Sequence, residues 1–172
     1  MNGVSETSTD EFLHLCLRAR WDATALDEAR ALSQRDDFAW DAVRKVVERE
    51  GIAPLLYAIA RGRSLLPANL EEAWRLAYFT NARRNLLLFH ELERVLGQLA
   101  ARGIPAIVLK GAALAGSIYG NPAVRPMCDV DVLVHQEDAP TALRVLTDIG
   151  YTTPQAEARA GDTLAYENEV LL

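Results

Sequence analysis

The sequence has few cysteines and no long apolar run. Its two cysteines among 172 residues, Cys16 and Cys128, are far apart and match no metal-ligand spacing. A disulfide framework is therefore excluded, and we expect two free thiols. No segment approaches the roughly 18 consecutive apolar residues that span a bilayer, and the N-terminus has neither the basic start nor the apolar core of a signal peptide. We expect a cytoplasmic protein.

Basic residues are also scarce. The chain has 18 Lys plus Arg against 24 Asp plus Glu, a formal net charge of −6. Proteins that bind nucleic acid cluster Lys and Arg to neutralise phosphates, so this balance disfavours long nucleic acid as a partner. What the chain does contain is 50% hydrophobic residues, the composition of one soluble globular domain or of two small ones.

The first part of the chain, residues 1–103, has the pattern of a helical region. Apolar residues recur at helical spacing. They predict three short amphipathic helices, around residues 12–17, 40–47 and 55–59. A long helix should follow over 69–101, with Asn69 as its N-cap and a stop at Arg102 and Gly103.

The pattern changes near residue 104. Two β-branched runs predict strands, and the segments between and after them predict helix and loop. The predicted order is strand 104–110, helix 112–119, loop 120–126, strand 130–134, helix 138–149 and a further strand 163–172. The fold class is therefore α/β (α+β), with a helical N-terminal half before a small mixed-sheet core, residues 104–172, flanked by helices. We expect this core to be truncated at its C-terminal end.

Two aspartates open the second strand. Asp129 and Asp131 are separated by one residue, and side chains at positions i and i+2 of a strand point to the same face. Adjacent carboxylates repel one another unless a cation lies between their oxygens. Mg²⁺ suits such a site, because it binds one or two carboxylates and fills its other positions with phosphate oxygens and water. We interpret the pair as catalytic, metal-binding carboxylates; the alternative is a solvated Asp-x-Asp at a strand edge.

Small and basic residues lie next to this pair. Lys110 and Gly111 end the first strand, and Arg125 lies in the loop before the aspartates. Glycine lets a ligand approach the backbone, the amides at a helix start bind anions, and Lys and Arg supply charge. We interpret these three as candidate triphosphate-binding residues. Two alternatives stay open: Lys110 as a surface lysine, and Arg125 as an ion-pair partner of Asp129 or Asp131.

Several stretches carry a resemblance to a known family. The most specific are Lys-Gly with its flanks at 107–114, Arg-Pro-Met-x-Asp-x-Asp within 119–134, and the helix that ends before Tyr151; Trp40, residues 52–57 and the pair Arg84-Asn85 are similar too. On these motifs the chain resembles the uncharacterised nucleotidyltransferase family of the polymerase-β-like nucleotidyltransferase superfamily. The resemblance extends over most of the chain.

The resemblance implies a small mixed sheet flanked by helices and a reaction at its edge. Asp129 and Asp131 match the family's Mg²⁺ positions, Lys110 and Gly111 match its turn beside the phosphates, and Arg125 matches its basic residue before the acidic pair. The implied reaction moves a nucleoside monophosphate from an NTP, such as ATP, to a small-molecule or protein acceptor and releases pyrophosphate.

Some features of the superfamily have no single counterpart here. Its third carboxylate comes from a later strand, where this chain offers Glu167 and Glu169, and its Gly-Ser signature has an alternative placement at Gly116 and Ser117. A second hypothesis is therefore a catalytically inactive nucleotide-binding or protein-interaction domain, regulatory or antitoxin-like. A truncated sheet also leaves an edge that another chain can cover, so a homodimer is one expectation.

Overall fold

The computed structural model describes residues 3–152, with side chains from residue 7 onward. Within that range it contains seven α-helices and a two-stranded antiparallel sheet. This arrangement confirms the α+β fold class. In chain order the elements are α1 (Gly3–Arg18), α2 (Thr24–Ser33), α3 (Trp40–Glu50), α4 (Ala53–Ala60), α5 (Ala68–Ala100), β1 (Ala106–Val108), α6 (Lys110–Leu114), β2 (Val132–Val134) and α7 (Ala139–Asp148).

Four short helices precede the long one, where the sequence predicted three. The predicted helices correspond to α1, α3 and α4, and the structure adds α2. Its buried positions are Ala25 and Ala29, both fully buried. Alanine is only weakly apolar, so these positions did not form a recognisable amphipathic pattern in the sequence. In the structure, α2 packs closely against α1.

The long helix α5 has 33 residues and confirms the predicted long helix, with a different start. Asn69 is not its N-cap. The cap position is Pro67, in extended backbone, and its carbonyl accepts hydrogen bonds from the amides of Leu70 (3.0 Å) and Glu71 (2.9 Å). Proline serves here because that position needs no amide donor within the helix. The helix ends one residue before the predicted end, and Gly103 follows in the left-handed region at φ 73°.

The two strands are shorter than predicted. They pair antiparallel, with Ala106 opposite Val134 and Val108 opposite Val132. The first begins only after Pro105, which has no amide to donate, and it ends where Lys110 turns into a helix. The second begins after the aspartates instead of at residue 130, although the Leu109 amide still donates to the Asp131 carbonyl at 2.9 Å.

The segment between the strands is more structured than predicted. The helix predicted over 112–119 begins already at Lys110, and after Leu114 it continues as a π-helical turn, Ala115–Tyr119. The predicted loop 120–126 contains a 3₁₀ turn, Pro122–Val124. Ala123 and Val124 of this turn are buried within the cluster of helices α1–α5. The helical half and the strand-bearing half thus share a core along α5.

The helix α7 and the strands cover the C-terminal part of α5. Val95 and Leu99 of α5 pack with Ala142 and Val145 of α7, and partly buried strand residues join them. Asp138 occupies the N-cap position of α7 as predicted, but its side chain makes no capping hydrogen bond. The strand predicted over 163–172 lies outside the described residues.

Two predictions concern cysteines and membranes. Cys16 and Cys128 are both free thiols, as predicted, the first buried and the second exposed. Burial raises the pKa of the Cys16 thiol to about 12, so this cysteine is part of the core and unreactive. Among the described residues, no helix combines the length and the apolar character needed to cross a membrane.

Candidate active site

Lys110 and Asp131 meet at the end of the hairpin. The Lys110 Nζ donates to Asp131 Oδ1 at 3.0 Å. The side chain of Lys110 is 69% exposed and that of Asp131 is 22% exposed, so the pair lies at the protein surface with the carboxylate recessed. The lysine predicted to be near phosphates therefore lies beside one of the carboxylates predicted to bind metal. Lys110 is thus a surface lysine, as the alternative expected, and it also contacts Asp131.

Both aspartates belong to the open side of the sheet. Along the extended chain, Asp129, Asp131 and Leu133 alternate with residues that face the helices. Leu133 is 50% exposed, and Ile107, opposite it in the register, is 61% exposed. Asp129 is exposed as well. The side of the sheet that carries the carboxylates is therefore accessible to a ligand.

The backbone at Lys110 adopts an unusual conformation. Its φ of 47° lies in the left-handed region, which costs an ordinary L-residue about 1–2 kcal/mol. This bend turns the chain from β1 into α6 in a single residue. Because α6 has only five residues, its dipole is small. The helix start alone therefore gives little attraction for the anion that the sequence predicted there.

Gly111 lies directly against the segment that contains Arg125. A Cβ atom at this glycine would be 3.2 Å from Met127 Cγ and Sδ and 3.6 Å from Arg125 Nε. The first two distances are shorter than ordinary van der Waals contact. The absence of a side chain is thus what lets the turn after β1 pack on residues 125–127. Two segments that are separate in the sequence meet here.

Arg125 makes a contact with an aromatic ring instead of an ion pair. Its guanidinium carbon lies 5.9 Å from the centroid of the Tyr119 ring. Its Nε is buried and has no hydrogen-bond partner among the described residues. Within the same part of the chain no carboxylate lies within ion-pair distance, so the alternative of a structural pair with Asp129 or Asp131 is wrong. A buried donor without a partner is costly unless a ligand satisfies it.

Three polar residues of α5 hold the segment 121–125 in place. The fully buried Asn85 donates from Nδ2 to the carbonyls of Pro122 (2.5 Å) and Arg125 (2.7 Å). One turn earlier, Asn81 donates to the carbonyl of Ala123 at 2.7 Å. Tyr78 accepts from Asn121 at 3.1 Å. The main chain at Arg125 is therefore anchored to the longest helix of the molecule.

This anchoring function was not predicted from the sequence. Asn85 was noted only within the Arg84-Asn85 pair that carries part of the family resemblance. The signal was present, since Asn81 and Asn85 are four residues apart and lie on one helix face together with Tyr78. Amides on a buried stripe require hydrogen-bond partners. The partners themselves, carbonyls about 40 residues away, could not be read from the sequence.

The structure adds little on the other candidate residues. Gly116 and Ser117, the alternative Gly-Ser position, lie in the π-helical turn, where the Ser117 hydroxyl donates to the Ala113 carbonyl at 2.8 Å. Glu167 and Glu169 lie outside the described residues. Among residues that are described, no group of three or more His, Cys, Asp or Glu side chains could hold a metal ion.

The family comparison covers all of the site. The sequence model of a family described as uncharacterised nucleotidyltransferase matches residues 36–170. The chain belongs to this family. Membership in the uncharacterised nucleotidyltransferase family confirms the resemblance read from the motifs and supports a general nucleotidyltransferase role. The match begins after α2 and includes Lys110, Gly111 and Arg125 as well as both aspartates. No curated protein and no solved structure is significantly similar to this chain.

Proposed function

We propose that this protein is a Mg²⁺-dependent nucleotidyltransferase. It moves a nucleoside monophosphate from an NTP to a small-molecule or protein acceptor. The observation that supports this most is the meeting of Lys110 and Asp131 beside a glycine that contacts the Arg125 side chain. Nucleotidyl transfer needs cations for the phosphates and carboxylates for a metal at one place, and the end of this hairpin has both.

The chemistry of the residues fits magnesium. Asp129 and Asp131 offer hard carboxylate oxygens on an accessible side of the sheet, and Mg²⁺ prefers such ligands. Bound there with substrate phosphates, the ion would neutralise charge that develops on the phosphate oxygens. Lys110 already supplies one positive charge at Asp131. We expect its ammonium group to contact a phosphate oxygen when nucleotide is present.

The remaining residues have binding and orienting roles in this proposal. Gly111 lets residues 125–127 pack against the turn after β1 and so brings Arg125 close to Lys110. The guanidinium group of Arg125 supplies a further positive charge for the phosphate oxygens. Asn85 fixes the main chain from which Arg125 projects. Because nucleotidyl transfer depends mainly on positioning and charge neutralisation, no nucleophilic protein side chain is required.

Turnover tests the proposal directly. Protein is incubated with an NTP labelled at the α-phosphate, Mg²⁺ and a mixture of candidate acceptors, and both pyrophosphate and labelled product are measured. We expect metal-dependent pyrophosphate release that is abolished in Asp129→Asn and Asp131→Asn variants with unchanged unfolding temperature. Retained release in these folded variants would contradict the role of the carboxylates.

One observation favours a second candidate function. The described residues supply two carboxylates at the site and no third, whereas superfamily enzymes commonly use three. A catalytically inactive nucleotide-binding or protein-interaction domain, regulatory or antitoxin-like, would have this set. Mg²⁺-dependent NTP binding without any consumption of the NTP, in the presence of acceptors, would favour it over the enzyme.

Partner state and location stay predictions from the sequence. A homodimer has one further structural feature in its favour, an exposed apolar face of α5 with Leu76, Phe79, Leu86 and Leu87 each more than half exposed. Light scattering after size exclusion would give the mass in solution. The cytoplasmic location is likewise a prediction, and fractionation of cells would test it.

A further inference from the structure

A cleft lies between the helical half and the segment after α6. Its volume is about 290 Å³, close to the smallest pockets that hold small organic ligands. Leu55, Ile59 and Val124 contribute apolar surface to its lining, while Arg20, Arg63 and Tyr119 contribute polar or charged groups. Polar and apolar groups contribute about equally to the lining, so the cleft can contact both the organic body and the charged group of one ligand.

The two arginines of this cleft differ from their neighbours in charge pairing. Arg18 contacts Asp22 at 2.9 Å and Glu28 at 3.6 Å, and Arg30 contacts Asp27 at 2.9 Å. Over the residues with described side chains, neither Arg20 nor Arg63 has a carboxylate within 4.0 Å. The nearby carboxylates are used by other arginines, so the cleft carries net positive charge in a chain of net charge −6.

Neighbouring groups hold the guanidinium of Arg20 and the main chain at Arg63. The Arg20 guanidinium carbon lies 5.5 Å from the centroid of the Tyr119 ring and 5.4 Å from that of Trp21. Arg63 lies between Gly62 (φ 71°) and Ser64 (φ 50°), in a tight turn. Its carbonyl accepts a hydrogen bond from the Arg30 guanidinium at 2.9 Å. The cleft therefore presents its charge from an organised surface.

Tyr119 connects this cleft to the candidate active site. Its ring is approached by Arg20 at 5.5 Å and by Arg125 at 5.9 Å. A ligand next to Tyr119 would therefore lie beside the residue proposed to bind the NTP phosphates. An acceptor must approach the α-phosphate from outside the nucleotide, and this cleft offers a separate place next to the site.

We propose that the cleft binds an anionic acceptor, a small organic molecule with a carboxylate or phosphate monoester on an aromatic or aliphatic body. Guanidinium groups match carboxylate and phosphate oxygens with paired donors. The apolar residues of the lining and the Tyr119 ring accommodate the organic body of the ligand. The anion site stands on the cleft itself, and its role as acceptor site rests on the proposed nucleotidyltransferase function.

Titration with phenyl phosphate tests the site without knowledge of the natural acceptor. Isotope-labelled protein is followed by nuclear magnetic resonance at the arginine Nε–H groups and backbone amides. We expect saturable shifts at Arg20, Arg63 and Tyr119, and none with phenol, which lacks the anion. An Arg20→Gln, Arg63→Gln double variant should bind at least about tenfold more weakly, because it removes both positive charges that face the anion.

A matched double variant separates the cleft from general charge. Arg102→Gln with Arg144→Gln removes the same two charges at exposed positions outside the cleft, and it should bind phenyl phosphate like the original protein. An equal loss of affinity in this control would overturn the proposal. Absence of saturable shifts, or shifts centred on Lys110 and Gly111 instead, would also overturn it.

Mg²⁺-ATP binding, measured on the same variants, distinguishes failure of this inference from failure of the proposed function. We expect both arginine double variants to bind Mg²⁺-ATP like the original protein. Phenyl phosphate in the cleft together with no Mg²⁺-ATP binding would overturn the acceptor role and the proposed function and leave the anion site in place. Mg²⁺-ATP binding without phenyl phosphate binding would overturn the cleft alone.

Discussion

The helical half buries large apolar side chains that the hairpin leaves exposed. Phe12 is fully buried and makes edge-on contacts with Phe38 and Trp40, each at 5.3 Å between ring centroids. In the hairpin, Ile107 and Leu133 face one another across the strands and are at least half exposed. The exposed side is also the one that carries Asp131.

This difference separates a supporting region from a reacting one. The close packing of these aromatic rings fixes α1 against α3 and the segment before it. A two-stranded sheet that is covered on one side leaves the other side accessible to a substrate. The anchor residues on α5 connect the two, because they transmit the rigidity of the helices to the segment of Arg125.

The largest expected effect is a core truncation in the helical half. Phe12→Ala should lower the free energy of unfolding by about 3–5 kcal/mol, because it removes a buried ring and leaves a cavity. Leu133→Ala is the matched change on the exposed side of the hairpin and should cost less than half as much. Denaturant unfolding measures both. Equal losses would contradict the contrast between the regions.

The next effect concerns the anchor. Asn85→Leu leaves the carbonyls of Pro122 and Arg125 without their donor and should cost about 1–3 kcal/mol of stability. It should also weaken Mg²⁺-NTP binding, because Arg125 is no longer held. Asn81→Leu, which frees only the Ala123 carbonyl, is the control. It should lower stability but reduce NTP affinity less than Asn85→Leu does, as calorimetry would show. An equal loss of affinity in the two variants would contradict a specific effect of Asn85 on Arg125.

A smaller effect comes from the backbone at Lys110. Glycine adopts its left-handed conformation without penalty, so Lys110→Gly should be more stable than Lys110→Ala by about 1 kcal/mol. At the exposed helical position Gln98 the order should reverse, since alanine is favoured inside helices by a similar amount. The same order at both positions in denaturant titrations would refute the bend at Lys110.

The smallest effect depends on pH. Hydrogen bonds from Arg94 and then Tyr151 lower the pKa of Glu91 from 4.5 to about 2. The charged carboxylate therefore stabilises the fold above pH 4.5, and this contribution is lost as the pH falls toward 2. Glu91→Gln should be less stable than the original protein at pH 7, with a difference that shrinks below pH 4.5. A stability difference for Glu91→Gln that does not depend on pH would contradict the pKa shift.

Much of the fold could be predicted from local patterns. The α5 stripe, the two β-branched runs and the Gly150 stop after α7 are strong periodic or turn signals, and their elements exist. The extra helix α2 escaped prediction because its core positions are alanines. The start of α5 was misplaced because asparagine is a favoured N-cap residue, while the carbonyl of Pro67, two residues earlier, has that function.

The candidate site could be predicted only in part from the sequence. The spacing of Asp129 and Asp131, the charge and position of the residues beside them, and the family resemblance identified the candidates Lys110, Gly111, Arg125, Asp129 and Asp131. These signals did not reveal that Lys110 contacts Asp131, that Gly111 packs on Met127, or that Arg125 lies over Tyr119. These contacts join residues that are distant in sequence, so they depend on how the strands and α5 pack, which no local pattern encodes.

Calorimetric titration with the four NTPs, with and without Mg²⁺, tests the central claim most directly. The original protein is compared with an Asp129→Asn, Asp131→Asn double variant and with a Glu137→Gln, Asp138→Asn control that removes the same charge beyond the other end of β2. We predict Mg²⁺-dependent binding of at least one NTP that is lost in the first variant and retained in the control. No binding to the original protein, or binding that survives in the first variant, would contradict the account.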